Sequence, residues 1–355
     1  FATLVWIAGY PVSESDMTTT VGYVMPKSPA KGKLQPGDKI LEVDGKQVIR
    51  FLGMNDSVSW AVVRSEGDTI PIKFERDGQV QSVEVEPYKA ESRGWFRRKS
   101  IRQLLVLPAE TLVIAKVQPD SPAEKMGLLK GDTVRAINGE KLYNSEALIE
   151  QAKNHPNDPM ALTVERDGKM FELQLKPALM KLEGEKEPKP RIGIGWDTRL
   201  TDSHPSPLEL VNNSVTSTFA TLGALVSRKS DVGLQHLSGP IGITRLYFVF
   251  LFGERGWQLA LWLSVVLNVN LAILNMLPIP VLDGGHILFG LIESVRRKPL
   301  NIRVLEVVQG TCTLLIIGLI AYISFFDVQD WSFVKKVIDK YAPQSQKAAK
   351  DQDVP

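Results

Sequence analysis

The sequence has no surplus of either charge, only one cysteine, and no pair of histidines at metal-binding spacing. Forty-two basic and forty acidic residues leave a net charge of +2, so the composition indicates no nucleic-acid partner. Cys312 stands alone in an apolar run and can form no internal disulfide. No two of the four histidines are spaced i, i+4 around a glutamate; they are His155, His204, His236 and His286. A His-Glu-x-x-His zinc helix is therefore excluded within this sequence, and so is a Gly-x-Ser-x-Gly nucleophile turn.

Apolar residues are unevenly spread, and the mean hydropathy of −0.04 averages two dissimilar halves. A charged stretch with many glycines and prolines reaches about residue 190, and long apolar runs follow Leu246. We therefore expect a soluble part followed by a membrane part. The apolar segment Phe1–Gly9 is too short to cross a bilayer. We interpret residues 1–12 as the end of a truncated transmembrane helix, with a buried strand as the alternative.

An internal repeat fills most of the soluble part. The paired segments are 24–30 with 117–123, 34–45 with 129–139, and 75–78 with 165–168. Each copy combines a Ser-Pro-Ala stretch, which favours a short helix, with an Asp-Gly or Asn-Gly turn between strands. A second helix is predicted near residues 55–64 and 145–154, and a hairpin around each Glu-Arg-Asp-Gly tetrapeptide. The sequence thus predicts one small α+β module made twice.

The second copy carries Ser-Pro-Ala, Gly-Leu, Gly-Asp and Ile-Asn-Gly in that order between residues 121 and 139. This order resembles the PDZ domains of bacterial protease-associated proteins, although the first copy departs from it at Lys33-Leu34. The resemblance implies PDZ-like domains over residues 13–100 and 101–200. Such domains bind extended peptide segments by adding a strand to a sheet edge. The alternative is that the modules fill space or filter substrates by size.

A charged, proline-bearing linker is predicted over residues 182–191, near the end of the second module, and an edge strand over 191–196. Residues 201–245 then connect the modules to the apolar runs. Residues 207–226 are predicted to form a helix, and Ser238-Gly-Pro to form a turn before an apolar helix that begins near Ile243. The spacing of apolar residues in the first of these helices fits either a membrane-surface helix or an amphipathic core helix.

No charged residue occurs in segments 256–282 and 307–326, and each matches or exceeds the roughly 20 residues a bilayer-spanning helix needs. Two transmembrane helices are therefore predicted in a membrane domain over residues 246–340, before a polar tail over 341–355. By the positive-inside rule, the basic loop between them is cytoplasmic; its charges are Arg296, Arg297, Lys298 and Arg303. The modules are then periplasmic, although Lys335, Lys336 and Lys340 weaken this orientation.

The first span ends in the motif Asn275-Met-Leu-Pro-Ile-Pro-Val-Leu-Asp-Gly-Gly285. Pro278 and Pro280 remove two backbone donors and prevent a regular helix, so an unwound stretch at membrane depth is predicted. Asp283 ends that stretch, and Gly284-Gly285 are expected to let the backbone turn tightly behind it. On local grounds alone, Asp283 could instead be the N-cap of the next helix.

The complete string Asn-x-x-Pro-x-Pro-x-Leu-Asp-Gly-Gly-His, preceded by Ser238-Gly-Pro-Ile, resembles the second signature of the site-2 protease family. The order of modules, turn and spans extends this resemblance over essentially the whole chain, to the branch with tandem PDZ domains. The resemblance implies that Asp283 is the third protein ligand of a catalytic Zn²⁺ ion, whose open position activates water. It also implies a substrate-binding segment that includes Asn275, Pro278, Pro280, Gly284 and Gly285.

In that family the other two zinc ligands and the general-base glutamate lie on a His-Glu-x-x-His helix. Since this helix is absent, no catalytic residue is assigned in the chain, and His286 is expected to cap or pack rather than to bind metal. The predicted fold is multidomain, with two PDZ-like α+β modules followed by an α-helical membrane domain with two transmembrane helices.

The predicted function is that of the C-terminal part of an intramembrane zinc metalloendopeptidase in the bacterial inner membrane. Its expected substrates are single-pass membrane proteins such as an anti-sigma factor, cleaved in regulated intramembrane proteolysis. The alternative is a catalytically inactive, membrane-tethered scaffold that binds peptides through tandem PDZ domains.

Overall fold

The computed structural model describes residues 1–90, 98–181, 187–253 and 255–329, and it divides into two compact units. The helical unit contains Phe1–Pro11, Glu91–Ser100 and Asp202–Pro355, and the modular unit contains Val12–Ala90 and Ile101–Thr201. Three predictions lie outside the described residues. They concern linker residues 182–186, the lysines that follow the second span, and the polar tail over 341–355.

The chain begins with a short helix, so the buried-strand alternative for Phe1–Gly9 is wrong. Helix α1 (Ala2–Ala8) ends at Gly9, where the left-handed φ of 65° is open to glycine. Strand β1 (Tyr10–Ser13) and helix α2 (Glu14–Met17) follow. That α1 is the end of a longer membrane helix stays a prediction.

Module 1 (residues 18–90 and 101–108) is built around a four-stranded antiparallel sheet. Its elements are β2 (Val21–Val24), β3 (Lys39–Val43), β4 (Lys46–Gln47), α3 (Val58–Arg64), β5 (Ile70–Arg76), β6 (Gln79–Val85) and β7 (Val106–Pro108). The sheet order is β4-β3-β5-β6, and β2 pairs separately with β7. Because side chains alternate along a strand, β5 places Ile70, Ile72 and Phe74 together in the core, all fully buried.

Module 2 (residues 109–181 and 187–201) repeats this plan. Its elements are β8 (Ile114–Val117), α4 (Pro122–Lys125), β9 (Thr133–Ile137), β10 (Glu140–Lys141), α5 (Ser145–Asn154), β11 (Met160–Arg166), β12 (Lys169–Leu175), β13 (Ala178–Met180), β14 (Lys189–Arg191) and β15 (Ile194–Trp196). The sheet order is β10-β9-β11-β12, with separate pairs β8–β15 and β13–β14. The predicted strands of the repeat, both hairpins and the second helix of each copy are confirmed, and each module has its own core. The edge strand predicted over 191–196 forms only at Ile194–Trp196, and Lys189–Arg191, predicted as linker, forms β14 by pairing with β13.

The two turn dipeptides also adopt the predicted geometry. Asp44-Gly45 has φ values of 50° and 72°, and Asn138-Gly139 has 49° and 82°. Both residues of each pair are thus left-handed, as a two-residue type I′ hairpin requires. These turns connect β3 to β4 and β9 to β10 and fix the register of each short pair.

The Ser-Pro-Ala helix forms only in module 2, so its prediction is wrong for module 1. In module 2, Ser121 Oγ accepts the Glu124 N–H at 3.2 Å, and the Glu124 carboxylate accepts the Asp120 N–H at 2.7 Å. In module 1, Lys31 stands where Glu124 stands in module 2 and cannot make this return bond. Ser28 Oγ instead donates to the Leu104 carbonyl, and residues 28–31 form turns.

A buried Asp–Arg clamp recurs in both modules. Arg76 donates from Nε to Asp38 Oδ1 at 2.7 Å, and Arg166 donates from Nε to Asp132 Oδ1 at 2.6 Å. Each arginine also binds the second carboxylate oxygen through Nη2 at 2.7 Å. The arginine of each Glu-Arg-Asp-Gly tetrapeptide therefore fixes its hairpin to the Gly-Asp turn, because a forked pair satisfies an almost completely buried carboxylate.

The helical unit contains the apolar segments. Strand β16 (Leu200–Ser203) begins in the modular unit and ends in the helical unit. The helices that follow are α6 (Pro207–Val226), α7 (Pro240–Leu251), α8 (Gly256–Asn275), α9 (Asp283–Arg296) and α10 (Ile302–Gln329). Helices α8 and α10 are long and apolar enough to cross a membrane, by length and composition. Large apolar side chains are exposed along α10, with Leu314 at 72%, as a lipid-facing helix requires. Helix α7 begins at Pro240 rather than near Ile243, since proline fits the first turn of a helix.

Helix α6 buries Leu210 and Ala224 beside small polar residues, and both the membrane-surface helix and the amphipathic core helix stay predictions. Its buried face includes Ser214, Ser217 and Thr218, whereas Leu208, Phe219 and Val226 are exposed. Thr218 Oγ1 donates to Asn270 Oδ1 on α8. Small polar residues that face a neighbouring helix, with apolar residues outside, are typical of helices packed within a membrane.

Candidate functional site

The candidate site lies where the polypeptide breaks between helices α8 and α9. Helix α8 ends at Asn275, and residues 276–282 form turns before α9 begins at Asp283. Within this break the N–H of Ile279 donates to the Leu277 carbonyl at 2.7 Å, and that of Leu282 to the Ile279 carbonyl at 2.9 Å. Since Pro278 and Pro280 carry no N–H, the helical ladder cannot continue, and the predicted unwound stretch is confirmed.

The prediction that Gly284 and Gly285 form a tight turn behind Asp283 is wrong. Gly284 and Gly285 lie in the first turn of α9 with ordinary helical backbone, so they do not make a tight turn behind Asp283. A Cβ atom on Gly284 would lie 2.3 Å from the Met276 carbonyl oxygen, and one on Gly285 would lie 2.1 Å from that of Ile279. Both glycines are buried. Their role is to let the first turn of α9 approach the backbone of the unwound segment.

Asp283 is the first residue of α9, and its side chain is exposed. Leu282 occupies the N-cap position, and no side chain caps this helix, so the explanation of Asp283 as an N-cap is wrong. Among the described residues, no hydrogen bond or ion pair reaches the carboxylate. The helix dipole favours a negative charge in the first turn of α9. Because no described residue binds them, the carboxylate oxygens are available to a ligand.

The other predicted site residues lie close to Asp283 in the sequence, and their side chains differ in exposure. Asn275 and Pro280 are half-buried, whereas Pro278 and His286 are exposed. No group of three His, Cys, Asp or Glu side chains that could hold a metal ion occurs in the parts of the chain that the structure describes. A catalytic zinc site needs three protein ligands, so these residues alone do not complete one.

The remaining histidines lie elsewhere and have backbone partners or exposed positions. His236 Nδ1 accepts the Gly233 N–H at 2.9 Å, and its Nε2 donates to the Lys99 carbonyl at 2.8 Å. His204 Nδ1 donates to the Trp6 carbonyl at 2.9 Å. His155 is exposed beside Asp158. None of these three joins Asp283 among the described residues.

A second aspartate of the helical unit was missed by the sequence analysis. Asp327, on α10, is fully buried and accepts the N–H groups of Gly239 and Gly242 at 2.8 and 2.9 Å. Arg98 donates to its other oxygen at 2.9 Å. The Ser238-Gly-Pro turn thus opens α7 with its amides directed at a carboxylate, a favoured place for an anion. The available signal was a lone aspartate directly after an uncharged run of membrane length.

Comparisons with known proteins show the family of the chain. The model of peptidase family M50 matches residues 12–319, which is most of the chain. The chain is 28% identical over 352 residues to protease RseP of Yersinia pestis, covering 91% of this chain and 73% of that protein. It is 27% identical to the regulator of sigma-E protease RseP of Salmonella typhimurium, with the same coverage.

Two further matches extend the comparison. A Neisseria meningitidis protein whose name includes the words zinc metalloprotease is 27% identical over 318 residues, covering 85% of this chain and 70% of that protein. The solved PDZ domain of an SdrC-like protein from Listeria monocytogenes is 21% identical with a TM-score of 0.22. It covers 25% of this chain and 90% of that domain.

Proposed function

Because this chain belongs to peptidase family M50, we propose that it supplies one metal ligand and the substrate-facing segment of an intramembrane zinc metalloendopeptidase of the site-2 type. The observation that carries the proposal is the setting of Asp283. Its exposed carboxylate lies at the end of an unwound segment, directly after a helix of membrane-spanning length. Placing an ionisable side chain in a membrane costs free energy. Such residues are therefore rare there, and those that occur usually serve a function.

The unwound segment 276–282 is proposed to hold the substrate. A transmembrane helix has to open before its peptide bonds can be attacked, and an extended chain needs backbone partners. Asn275, Pro278 and Pro280 mark a stretch whose backbone is not committed to a helical ladder. Gly284 and Gly285 support that stretch, because they let α9 contact its carbonyl groups closely.

Zinc is the proposed cofactor, with Asp283 as one ligand. The other two ligands and the general base are assigned to a His-Glu-x-x-His helix, which the 355 residues do not contain. Bound zinc would supply an activated water molecule for attack on the peptide carbonyl. The 355 residues by themselves are therefore expected neither to retain zinc tightly nor to hydrolyse peptides.

Both modules are proposed to be PDZ domains that bind peptide segments or filter substrates. Their support is the shared α+β plan with separate cores and the repeated Asp–Arg clamp. The proposed substrates are single-pass membrane proteins such as an anti-sigma factor. The Salmonella relative is named a regulator of sigma-E protease. The proposed location is the bacterial inner membrane, with the modules periplasmic.

The test joins the chain at Phe1 to a membrane helix that carries His-Glu-x-x-His and measures cleavage of a single-pass reporter. Asp283→Asn is expected to lower zinc-dependent cleavage by more than about 100-fold, since a metal ligand is lost. The matched control is Asp167→Asn, which removes the same charge from an exposed turn of module 2. It is expected to leave cleavage unchanged.

Two results would count against the proposal. Unchanged cleavage by the Asp283→Asn protein would remove Asp283 from the metal site. A joined protein that holds no zinc, cleaves nothing and still binds peptides through its modules would support the inactive scaffold instead.

A further inference from the structure

Four exposed cationic side chains lie close together in the basic loop, where α9 ends and α10 begins. They are Arg296, Arg297, Lys298 and Arg303. Within the described ranges, no acidic side chain pairs with any of the four. Elsewhere in the helical unit, Arg98 and Arg255 are each paired with an aspartate. The basic loop therefore concentrates positive charge that the described part of the chain leaves without a partner.

The two carboxylates near the basic loop do not neutralise it. Glu293, in the last turn of α9, accepts the Leu300 N–H at 2.8 Å, so its carboxylate is used by the backbone. Glu306, on α10, is exposed. From Glu293 to Glu306, four cations face two anions, which leaves an excess of two positive charges. An anionic ligand is the partner that such an excess favours.

Hydrogen bonds fix the basic loop between the two helices. The bond from the Leu300 N–H to Glu293 closes the loop across seven residues. Arg297 ends α9 with left-handed backbone, at a φ of 52°. Asn301 Oδ1 accepts the Arg303 N–H at 3.0 Å and so caps the start of α10. The four cations are therefore presented by an ordered loop.

The start of α10 sets the level of the basic loop in a bilayer. The uncharged run 307–326 of this helix is about 30 Å long, which equals the thickness of the hydrocarbon core. Arg303 precedes this run by one helical turn, so its backbone lies about 6 Å beyond the hydrocarbon, among the lipid headgroups. Its neighbours Ile302 and Val304 are 70% and 60% exposed, as on a lipid-facing helix. Phospholipid phosphates are the anions found at this level.

We propose that the basic loop binds the phosphate groups of anionic phospholipids, so that the protein prefers these lipids to zwitterionic ones. A guanidinium group binds a phosphate through two parallel hydrogen bonds, and three of the four cations are arginines. The level of Arg303 favours lipid over an acidic protein, because headgroups already surround it. The positive-inside rule orients a chain but requires no such lipid contact. The proposal rests on α10 as a membrane helix and does not depend on the zinc site.

The test measures the lipid preference of the full chain in phosphatidylcholine vesicles by electron paramagnetic resonance. Spin-labelled phosphatidylglycerol and spin-labelled phosphatidylcholine are added in separate samples, and the fraction of each label that the protein immobilises gives their relative association. The variant replaces the four cations of the basic loop with glutamine. The matched control removes the same charge from exposed positions of module 2. Its substitutions are Lys125→Gln, Lys130→Gln, Lys153→Gln and Lys169→Gln.

The parent chain is expected to associate with phosphatidylglycerol at least about threefold more strongly than with phosphatidylcholine at low salt, and added salt should reduce this ratio. The basic-loop variant should bring the ratio close to one, and the module 2 control should keep the ratio of the parent. Equal association of the two lipids with the parent would overturn the proposal. So would a ratio that the basic-loop variant leaves unchanged, or one that the module 2 control lowers equally, because net charge or another surface would then explain the preference.

Discussion

Two aspartates of the helical unit, Asp283 and Asp327, lie in opposite settings. Asp327 is fully buried and receives two backbone N–H groups and an arginine. Asp283 is exposed, and no described residue binds its carboxylate. A carboxylate that is completely satisfied serves the fold, whereas one kept free at the end of an unwound segment is available for chemistry. If Asp283 is the metal ligand that we propose, the contrast separates stability from function within one helical unit.

The largest effect on stability is expected from Asp327→Ala. The substitution leaves the Gly239 and Gly242 amides without their acceptor and Arg98 without its carboxylate partner. Removing one partner of a buried charged network costs about 3–5 kcal/mol, so the detergent-solubilised protein should unfold at a clearly lower temperature. Asp283→Ala is the control, with an expected change below about 0.5 kcal/mol. Equal destabilisation by the two variants would abolish the distinction between the two aspartates.

A smaller loss is expected when the support of the unwound segment is disturbed. Gly285→Ala places a Cβ atom 2.1 Å from the Ile279 carbonyl oxygen, and the backbone has to shift. Overpacking of this kind costs about 1–3 kcal/mol, measurable as a lower thermal midpoint.

Gly290→Ala is the matched control for this prediction, because it lies in the same helix and a Cβ atom there meets nothing within 4 Å. Alanine at that position should be neutral or stabilise by up to about 1 kcal/mol. If Gly285→Ala were equally harmless, the close approach of α9 to the unwound segment would be refuted.

A still smaller, pH-dependent loss is expected from the clamp of module 2. Burial by itself raises the pKa of Asp132, but the Arg166 guanidinium and the Leu129 N–H outweigh it and hold the pKa below 3.8. The ionised clamp therefore stabilises module 2 above about pH 4, and this contribution is lost as the pH falls through the unfolded value towards the folded one. Asp132→Asn should cost about 1–2 kcal/mol at neutral pH and flatten the acid dependence.

Urea unfolding of the full chain measures this effect, with a fluorophore on Met170→Cys in the Cys312→Ser background. Acid should lower the midpoint of the parent protein and bring it towards that of the Asp132→Asn protein near pH 3. Two midpoints that stay equally far apart at every pH would show that the clamp does not titrate as described.

The modules were largely predictable because local chemistry decides them. Turn dipeptides such as Asn138-Gly139 require left-handed backbone, and alternation along β5 and β11 selects the buried face. The break after Asn275 was predictable for the same reason, since proline removes donors whatever surrounds it. The failed helix at Ser28 shows the limit of this reasoning, because its hydroxyl is used by the distant Leu104 carbonyl.

The parts that escaped prediction depend on contacts between distant segments. Gly284 and Gly285 follow the unwound segment closely, yet only the packed backbone shows that they permit contact rather than a turn. Asp327 and Gly239 are far apart in sequence, and no local pattern indicates that a carboxylate on α10 receives the amides of α7. Side-chain environment, which separates Asp283 from Asp327, is likewise a property of the folded chain.

The smallest change in stability and the largest change in metal content are both expected from Asp283→Asn. The direct measurement is zinc per mole of the purified protein joined to a His-Glu-x-x-His helix, together with its thermal midpoint. We predict that the parent retains one zinc ion, and that Asp283→Asn keeps the midpoint but loses at least about 90% of the zinc under mild chelation. Full zinc retention by a correctly folded Asp283→Asn protein would contradict the assignment of Asp283 as a metal ligand.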